Sequence, residues 1–341
     1  MAARTVEEIH RDALIVDGLG FGSDGYAGNL IAGNVAAINI TVADVTGDFE
    51  LCCDNMATWC ARLDEAGSPW RLVLEAEDIA AAKAAGKIGL IMGWQNMRPI
   101  ADRLERLTLF RRLGVRVMQL TYNERNFIGS GCLEPLDSGL SAFGKRAVRE
   151  MNRLGIAVDL SHVAERTCLD AVAASDKPVL ITHANAKAVR DVPRNKSDAV
   201  IKAVAGTGGL IGASVYGPMC WNGDPSRRPN LSDFVRHLEH IVGLVGIAHV
   251  SLGSDFPIVS DLAKVNHIIE RTMKRYAGNV NTYAAAFGND VKTRYLSDCG
   301  SPAELGNLTQ ALVERGWREA DIRALLGENL VRVLKRIWAT G

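Results

Sequence analysis

Two histidines, His162 and His183, each close a short apolar run in the stretch VDLSHVAERTCLDAVAASDKPVLITHANAK, residues 158–187. The residues between them carry an amphipathic helical pattern. An acidic residue, Asp255, closes a third apolar run in HVSLGSDF. Neutral imidazole ligates zinc and similar divalent ions, and carboxylate completes such sites. His162, His183 and Asp255 are therefore candidates for a partial metal shell. They are equally candidates for acid–base work, since imidazole titrates near neutrality. A histidine at a strand end is often only a hydrogen-bonded structural group, so the weight falls on the matching placement of all three. Arg194, in DVPRNKSD, adds a guanidinium whose parallel N–H groups suit a substrate carboxylate. A solvated loop arginine is the plain alternative.

Such residues need a scaffold that brings them together. Short apolar, β-branched runs occur at 14–17, 35–41, 87–92, 115–120, 156–160, 179–182, 209–213 and 249–253. Helical patterns fill most gaps, among them 102–113, 143–154, 164–174, 197–205 and 231–245. Eightfold strand–helix alternation predicts a (β/α)8 TIM barrel, an α/β fold whose active site lies at the C-terminal strand ends. A doubly wound sheet is the rival, but DGLGFGSDG does not fit the GxGxxG phosphate loop. The polar residues gather where the barrel requires them. They are Asp17; Asn39 and Thr41; Trp94, Gln95 and Asn96; Gln119, Tyr122 and Asn123; Asp159 and His162; His183 and Asn185; Ser214 and Tyr216; Ser254 and Asp255.

Three features interrupt the repeat. A long helical pattern covers 49–66 before the third strand. The Gly/Ser/Asn-rich segment 123–142 reads as a long active-site loop. Beyond residue 260 no strong strand is predicted, only extra C-terminal helices including 302–314 and 319–338. No linker or low-complexity stretch divides the chain, so a single domain over 1–341 is expected.

Composition narrows the function. The 39 basic and 39 acidic residues balance, which argues against a nucleic-acid partner. The first residues lack an apolar signal core, and no run of about 18 apolar residues suggests a membrane span. Seven scattered cysteines without CxxC suit buried, reduced thiols and a cytoplasmic location. The remaining histidines, His10, His237, His240, His249 and His267, read as structural.

GLSAFGKRAVREMNRLGIAVDLSHVAERT, KPVLITHANAKAV, PRNKSD, HVSLGSDF and GENLVRV together closely resemble the renal or membrane dipeptidase family of amidohydrolase-like metal-dependent barrels. The resemblance runs from about residue 10 to the C-terminus. It implies a (β/α)8 barrel that hydrolyses dipeptides at a two-zinc site. His162 and His183 match the two later histidine ligands, Asp255 the strand-eight aspartate, and Arg194 the carboxylate-binding arginine. Three positions depart from the family pattern. Leu19 and Phe21 stand where the family has a His-x-Asp pair, Gln95 where it has a bridging glutamate, and Tyr122 where it has a substrate-contacting histidine. Leucine and phenylalanine cannot ligate, and a neutral amide is a weak substitute for a bridging carboxylate.

The expectation is a hydrolase of a small amide or dipeptide-like substrate carrying a carboxylate, with one zinc or similar divalent ion at most. Its catalytic residues are Asp255, His162 and His183. The same three form the expected metal set. Arg194, Tyr122, Asn123, Gln95 and Trp94 are the expected substrate contacts, and Trp94 with loop 123–142 sets specificity. The alternatives are a metal-independent enzyme, acting by lactone or lactam hydrolysis, elimination or isomerisation, and a non-catalytic ligand-binding barrel. No membrane partner is expected. The family leads to the expectation of a homodimer or larger homo-oligomer.

Overall fold

The computed structural model describes residues 4–22, 24–43, 45–224, 226–256, 270, 273, 274 and 291–339. Among them run nine strands: β1 (Ile15–Gly20), β2 (Val35–Thr41), β3 (Trp70–Leu72), β4 (Ile88–Trp94), β5 (Val115–Gln119), β6 (Ala157–Asp159), β7 (Leu180–Ile181), β8 (Leu210–Ala213) and β9 (Val250–Leu252). All strand pairings are parallel; eight strands follow the order β1-β2-β4-β5-β6-β7-β8-β9, and β3 pairs with β4 off that path. Helices surround them, giving the expected nearly closed (β/α)8 barrel. Every residue of β1 and of β4 is buried, as befits parallel strands covered on both faces.

The helices start where the sequence offers caps. The Ser141 hydroxyl accepts from Gly144 N–H at 2.8 Å and opens the helix Ala142–Leu154. Gly155, at φ 66°, ends that helix in the left-handed conformation glycine tolerates best. Ser197 caps Asp198–Gly206, and Asn230 with Asp233 forms a capping box for Leu231–Val245.

The two ends of the barrel differ. At the N-terminal strand ends, Leu330, Val333, Leu334 and Ile337 of the helix Asn329–Trp338 share one cluster with Val16, Ala37, Ile91, Val117, Ala157, Leu180 and Leu210. The C-terminal helix is thus a hydrophobic plug. Midway up, a Cβ on Gly212 or Gly253 would collide with Thr182 O, so the chain passes there only without side chains.

Several expectations need correcting. No strand is expected at 70–72, yet β3 pairs in parallel with β4, outside the ring. The strand expected at 179–182 is ladder-paired only over Leu180–Ile181. The helix expected over 319–338 is broken into Glu319–Arg323, a π turn at Ala324–Glu328, and Asn329–Trp338. Gly327 causes the break: it lies against Leu14 O and Val16 N, where a regular helical side chain has no room. The helical reading between 260 and 301 lies mostly outside the described residues, as does His267. His10, His237, His240 and His249 each hold a structural hydrogen bond, to Thr309, Cys220 O, Asp198 and Gly209 O. No disulfide forms among the seven cysteines; Cys60 is exposed, and Cys53 and Cys132 are half-buried rather than buried. No helix among the described residues is long and apolar enough to cross a membrane.

Candidate active site at the barrel mouth

Polar side chains stitch every seam of the mouth. Asn39 Nδ2 donates to Gly18 O at 2.9 Å, joining β2 to β1. Thr41 Oγ1 donates to Gln95 Oε1 at 3.0 Å, and Gln119 Nε2 to Gln95 O at 2.6 Å. Asn123 meets His162, Asp159 meets Thr182, and Asn185 brackets Ser214 through both N–H and C=O. Ser214 Oγ donates to Ser254 O at 3.2 Å, and Ser254 bonds to Asp17, closing β9 onto β1. Side chains here satisfy backbone groups that the strand ladders leave behind.

The two histidines face each other inside this ring. Their Nε2 atoms are 3.0 Å apart, and both residues are buried. The outer nitrogens fix the tautomers. Asn123 Oδ1 lies 2.9 Å from His162 Nδ1, and an amide oxygen only accepts, so Nδ1 carries the proton. Thr182 gives its hydroxyl proton to Asp159 Oδ2 at 2.7 Å, so its oxygen accepts from His183 Nδ1–H at 2.9 Å. Both Nε2 atoms therefore present lone pairs. Burial, with the Arg194 guanidinium behind it, holds both imidazoles well below the usual histidine range and neutral. Neutral imidazole is the ligating form. Two nitrogens on one tetrahedral zinc lie roughly 3.3 Å apart, so the pair fits a single ion. Gln95 Nε2 sits 3.2 Å from His183 Nε2.

Leu19 of β1 is buried and apolar and offers no donor atom to an ion. Asp255 does not complete a shell with the histidines: among the described residues no three His, Cys, Asp or Glu side chains group closely enough to hold a metal. Asp255 is only partly buried, and its carboxylate makes no hydrogen bond among the described residues. Burial pushes its carboxyl up to about 7, against the lowering influence of Arg194. Its φ is +57°, a left-handed conformation uncommon outside glycine.

The expected substrate contacts divide. Tyr122 lies flat on the His162 ring at 4.1 Å between centroids and is half-buried. Gln95 faces the histidines. Asn123 bonds to His162 through Oδ1 and so supports that histidine. Trp94 is corrected. Its ring packs edge-on against Phe110 at 4.7 Å in the layer between strands and helices. Strand alternation sends Trp94 outward and Gln95 inward. Arg194 is no solvated loop residue: it is 0% exposed and donates to Ser161 O at 2.5 Å and His183 O at 3.2 Å.

The 123–142 loop is a built structure. Asp137 reaches the uncapped helix Glu165–Ala174 and accepts from Arg166 N–H at 2.6 Å and Thr167 Oγ1 at 2.8 Å. Cys132 N–H donates to His162 O at 2.8 Å, which fastens the loop beside the histidine pair. Its outer face borders a pocket of about 590 Å³ lined by Met97, Arg98, Phe127 and Ile128, away from the histidines.

One group escaped the sequence reading, and two strand-end residues were placed without their partners. Lys196 is buried and donates to Val163 O at 2.6 Å, adding a second cation near the pair. Asp17 and Asp159 stand out only by their place at strand ends, yet each grips the hydroxyl residue preceding a candidate catalytic group: Ser254 before Asp255, Thr182 before His183. A Ser or Thr immediately before each functional residue was the available signal.

A family model described as membrane dipeptidase (peptidase family M19) matches residues 55–293. The dipeptidase tcpJ of Claviceps purpurea is 28% identical over 265 residues, 77% of this chain and 54% of that protein. An uncharacterized dipeptidase of Schizosaccharomyces pombe is 35% identical over 182 residues, 52% of this chain and 44% of its own. The chain spans about half the length of these curated relatives. The crystal structure of an amidohydrolase from Pseudomonas aeruginosa matches with a TM-score of 0.85 at 29% identity, covering 98% of this chain and 99% of that one.

Proposed function

The chain belongs to the membrane dipeptidase family, and on that premise we propose that it hydrolyses a small amide or dipeptide-like substrate with at most one metal ion. The observation that carries this reading is the pair of neutral imidazoles facing each other beneath the mouth, 3.0 Å apart. His162 and His183 would hold the ion, with the Gln95 amide oxygen as third donor after its side chain turns over. A divalent ion such as zinc, when bound there, would polarise the scissile carbonyl and acidify a water.

The protein's own groups do the rest. The Asp255 carboxylate takes a proton from the attacking water and returns it to the amine nitrogen as the C–N bond breaks. Arg194 supplies the positive charge that a substrate carboxylate needs, from a guanidinium held rigid by Ser161 O and His183 O. Tyr122 covers one face of His162 and keeps water from it. Loop 123–142 limits which side chains enter. The same reading takes residues 1–341 as one cytoplasmic catalytic domain that forms a homodimer or larger homo-oligomer, without nucleic-acid or membrane partners.

The test is hydrolysis of a panel of alanyl dipeptides, with zinc content measured on the same preparation. Turnover with near one equivalent of zinc is expected, falling by roughly 10²–10⁴ in Asp255→Asn. Turnover that survives Asp255→Asn overturns the assignment of the base. Turnover without zinc, unaffected by chelator, points instead to acid–base chemistry by the histidines alone.

A further inference from the structure

We propose that Asp17 is the positioning residue for Asp255, holding it in its left-handed conformation from across the seam between the first and last strands. This rests on the reading of Asp255 as the base.

The left-handed region is uncommon for residues other than glycine; aspartate tolerates it better than most, so the bonds around Asp255 select it rather than force it. Here the selection is traceable atom by atom. Asp17 Oδ1 accepts from Ser254 N–H at 2.8 Å and from Leu19 N–H at 3.2 Å. Asp17 Oδ2 accepts the Ser254 hydroxyl proton. Having given that proton away, Ser254 Oγ accepts from Phe256 N–H at 3.3 Å. Asp255 N–H donates to Leu19 O at 3.0 Å, and Leu19 is itself tethered to Asp17. The N–H groups of residues 254, 255 and 256 are thus all anchored, directly or through one intermediary, on a single carboxylate. The Asp255 side chain is left unbonded among the described residues.

Asp17 is 1% exposed and both its oxygens are taken up by Ser254 and Leu19, so its role is exerted through Asp255. The molecule uses the same device elsewhere. Asp159 accepts from the N–H and hydroxyl of Thr182, and from Ser161 N–H, two residues along its own chain. Thr182 in turn fixes the His183 tautomer. In both cases an aspartate at one strand end grips the hydroxyl residue just before the functional group of the neighbouring strand.

The test compares Asp17→Ala, Asp17→Asn and Ser254→Ala on alanyl dipeptide hydrolysis, alongside a crystal structure of each variant. Asp17→Ala is expected to lower kcat about 100-fold with KM and zinc affinity little changed, the scale of a misplaced catalytic group. Asp17→Asn keeps an acceptor for Ser254 N–H and should recover most of the rate. Ser254→Ala keeps the same backbone bond, should fall between them, and decides the matter if Asp17→Ala does not fold. Wild-type kcat in a folded Asp17→Ala or Ser254→Ala variant, or an unchanged Asp255 φ in its structure, overturns the proposal. Should the wild type hydrolyse no dipeptide, the base assignment fails separately. The Asp255 backbone conformation in the variant structures still decides whether Asp17 selects it.

Discussion

His162 and His183 meet nitrogen to nitrogen, their Nε2 atoms 3.0 Å apart with no proton between them. Asn123 and Thr182 occupy the outer nitrogens, and burial keeps both rings neutral. Two lone pairs at that distance repel unless a cation lies between them. On the proposed reading an ion would sit on the side of His183 and Gln95, away from the apolar Leu19.

Removing one imidazole should abolish that site. Zinc at 100 times its dissociation constant should stabilise the wild type by about 2.7 kcal/mol, read as a rise in Tm. His183→Ala should show no such rise and at least a ~100-fold loss of affinity by calorimetry. An undiminished zinc-dependent shift in the variant would place the ion elsewhere.

Stability should fall as pH rises through weakly acidic values. Burial pushes the Asp17 carboxyl up to about 6 and that of Asp255 up to about 7, well above their unfolded values. Groups with raised folded values bind protons more tightly when native. Their contribution is therefore whole below about pH 4, declines as pH rises, and is lost above about pH 7. For Asp17 the change is on the order of 3 kcal/mol. Tm measured at pH 5 and pH 8 for wild type and Asp17→Asn checks this: the variant's deficit should be larger at pH 5. Parallel profiles would show that Asp17 does not titrate in this range.

The barrel was legible because eight parallel, largely buried strands leave near-continuous apolar runs, and because polar residues gather mostly at their C-terminal ends. β3 was not legible: Trp70, Arg71 and Leu72 carry no periodicity, and only pairing with β4 makes them a strand. The break at Gly327 is invisible for a similar reason, since it depends on β1 lying against that helix. Among site residues, types and strand-end positions placed the histidine pair and Asp255 at one mouth. Partners did not follow from type. Trp94 packs outward because alternation turns it onto Phe110, and Asn123 Oδ1 is directed at His162. The seam bonds of Asp17 and Asp159 join residues 237 and 23 positions apart, beyond any local pattern.

The loop's attachment should be separable from the chemistry. Asp137 caps a helix whose own N-cap position is Ala164, which cannot do so. Asp137→Ala should cost about 1 kcal/mol, the usual value of a lost N-cap. Hydrogen exchange at residues 138–141 and 166–167 should accelerate while zinc affinity is unchanged. Unaltered exchange there would mean the loop is held mainly by its bonds at Cys132 and Ala164.

Gln95 offers the sharpest probe of how the site is charged. Its Oε1 receives the Thr41 hydroxyl at 3.0 Å, so its Nε2–H points at the His183 lone pair from 3.2 Å. In that orientation the amide competes with a cation for His183, and turning it over exposes the oxygen but forfeits the Thr41 donation in its present sense. Gln95→Glu removes the competition. One carboxylate oxygen can still accept from Thr41, while the other faces His183 with negative charge and no proton. Zinc affinity should rise at least ~10-fold, about 1.4 kcal/mol. Without zinc, the buried carboxylate should lower Tm at neutral pH relative to wild type, because burying an unpaired charge is unfavourable. Both effects follow from the same 3.2 Å contact. An affinity that does not change would put Gln95 outside the ion's reach, leaving the two histidines as its sole protein donors.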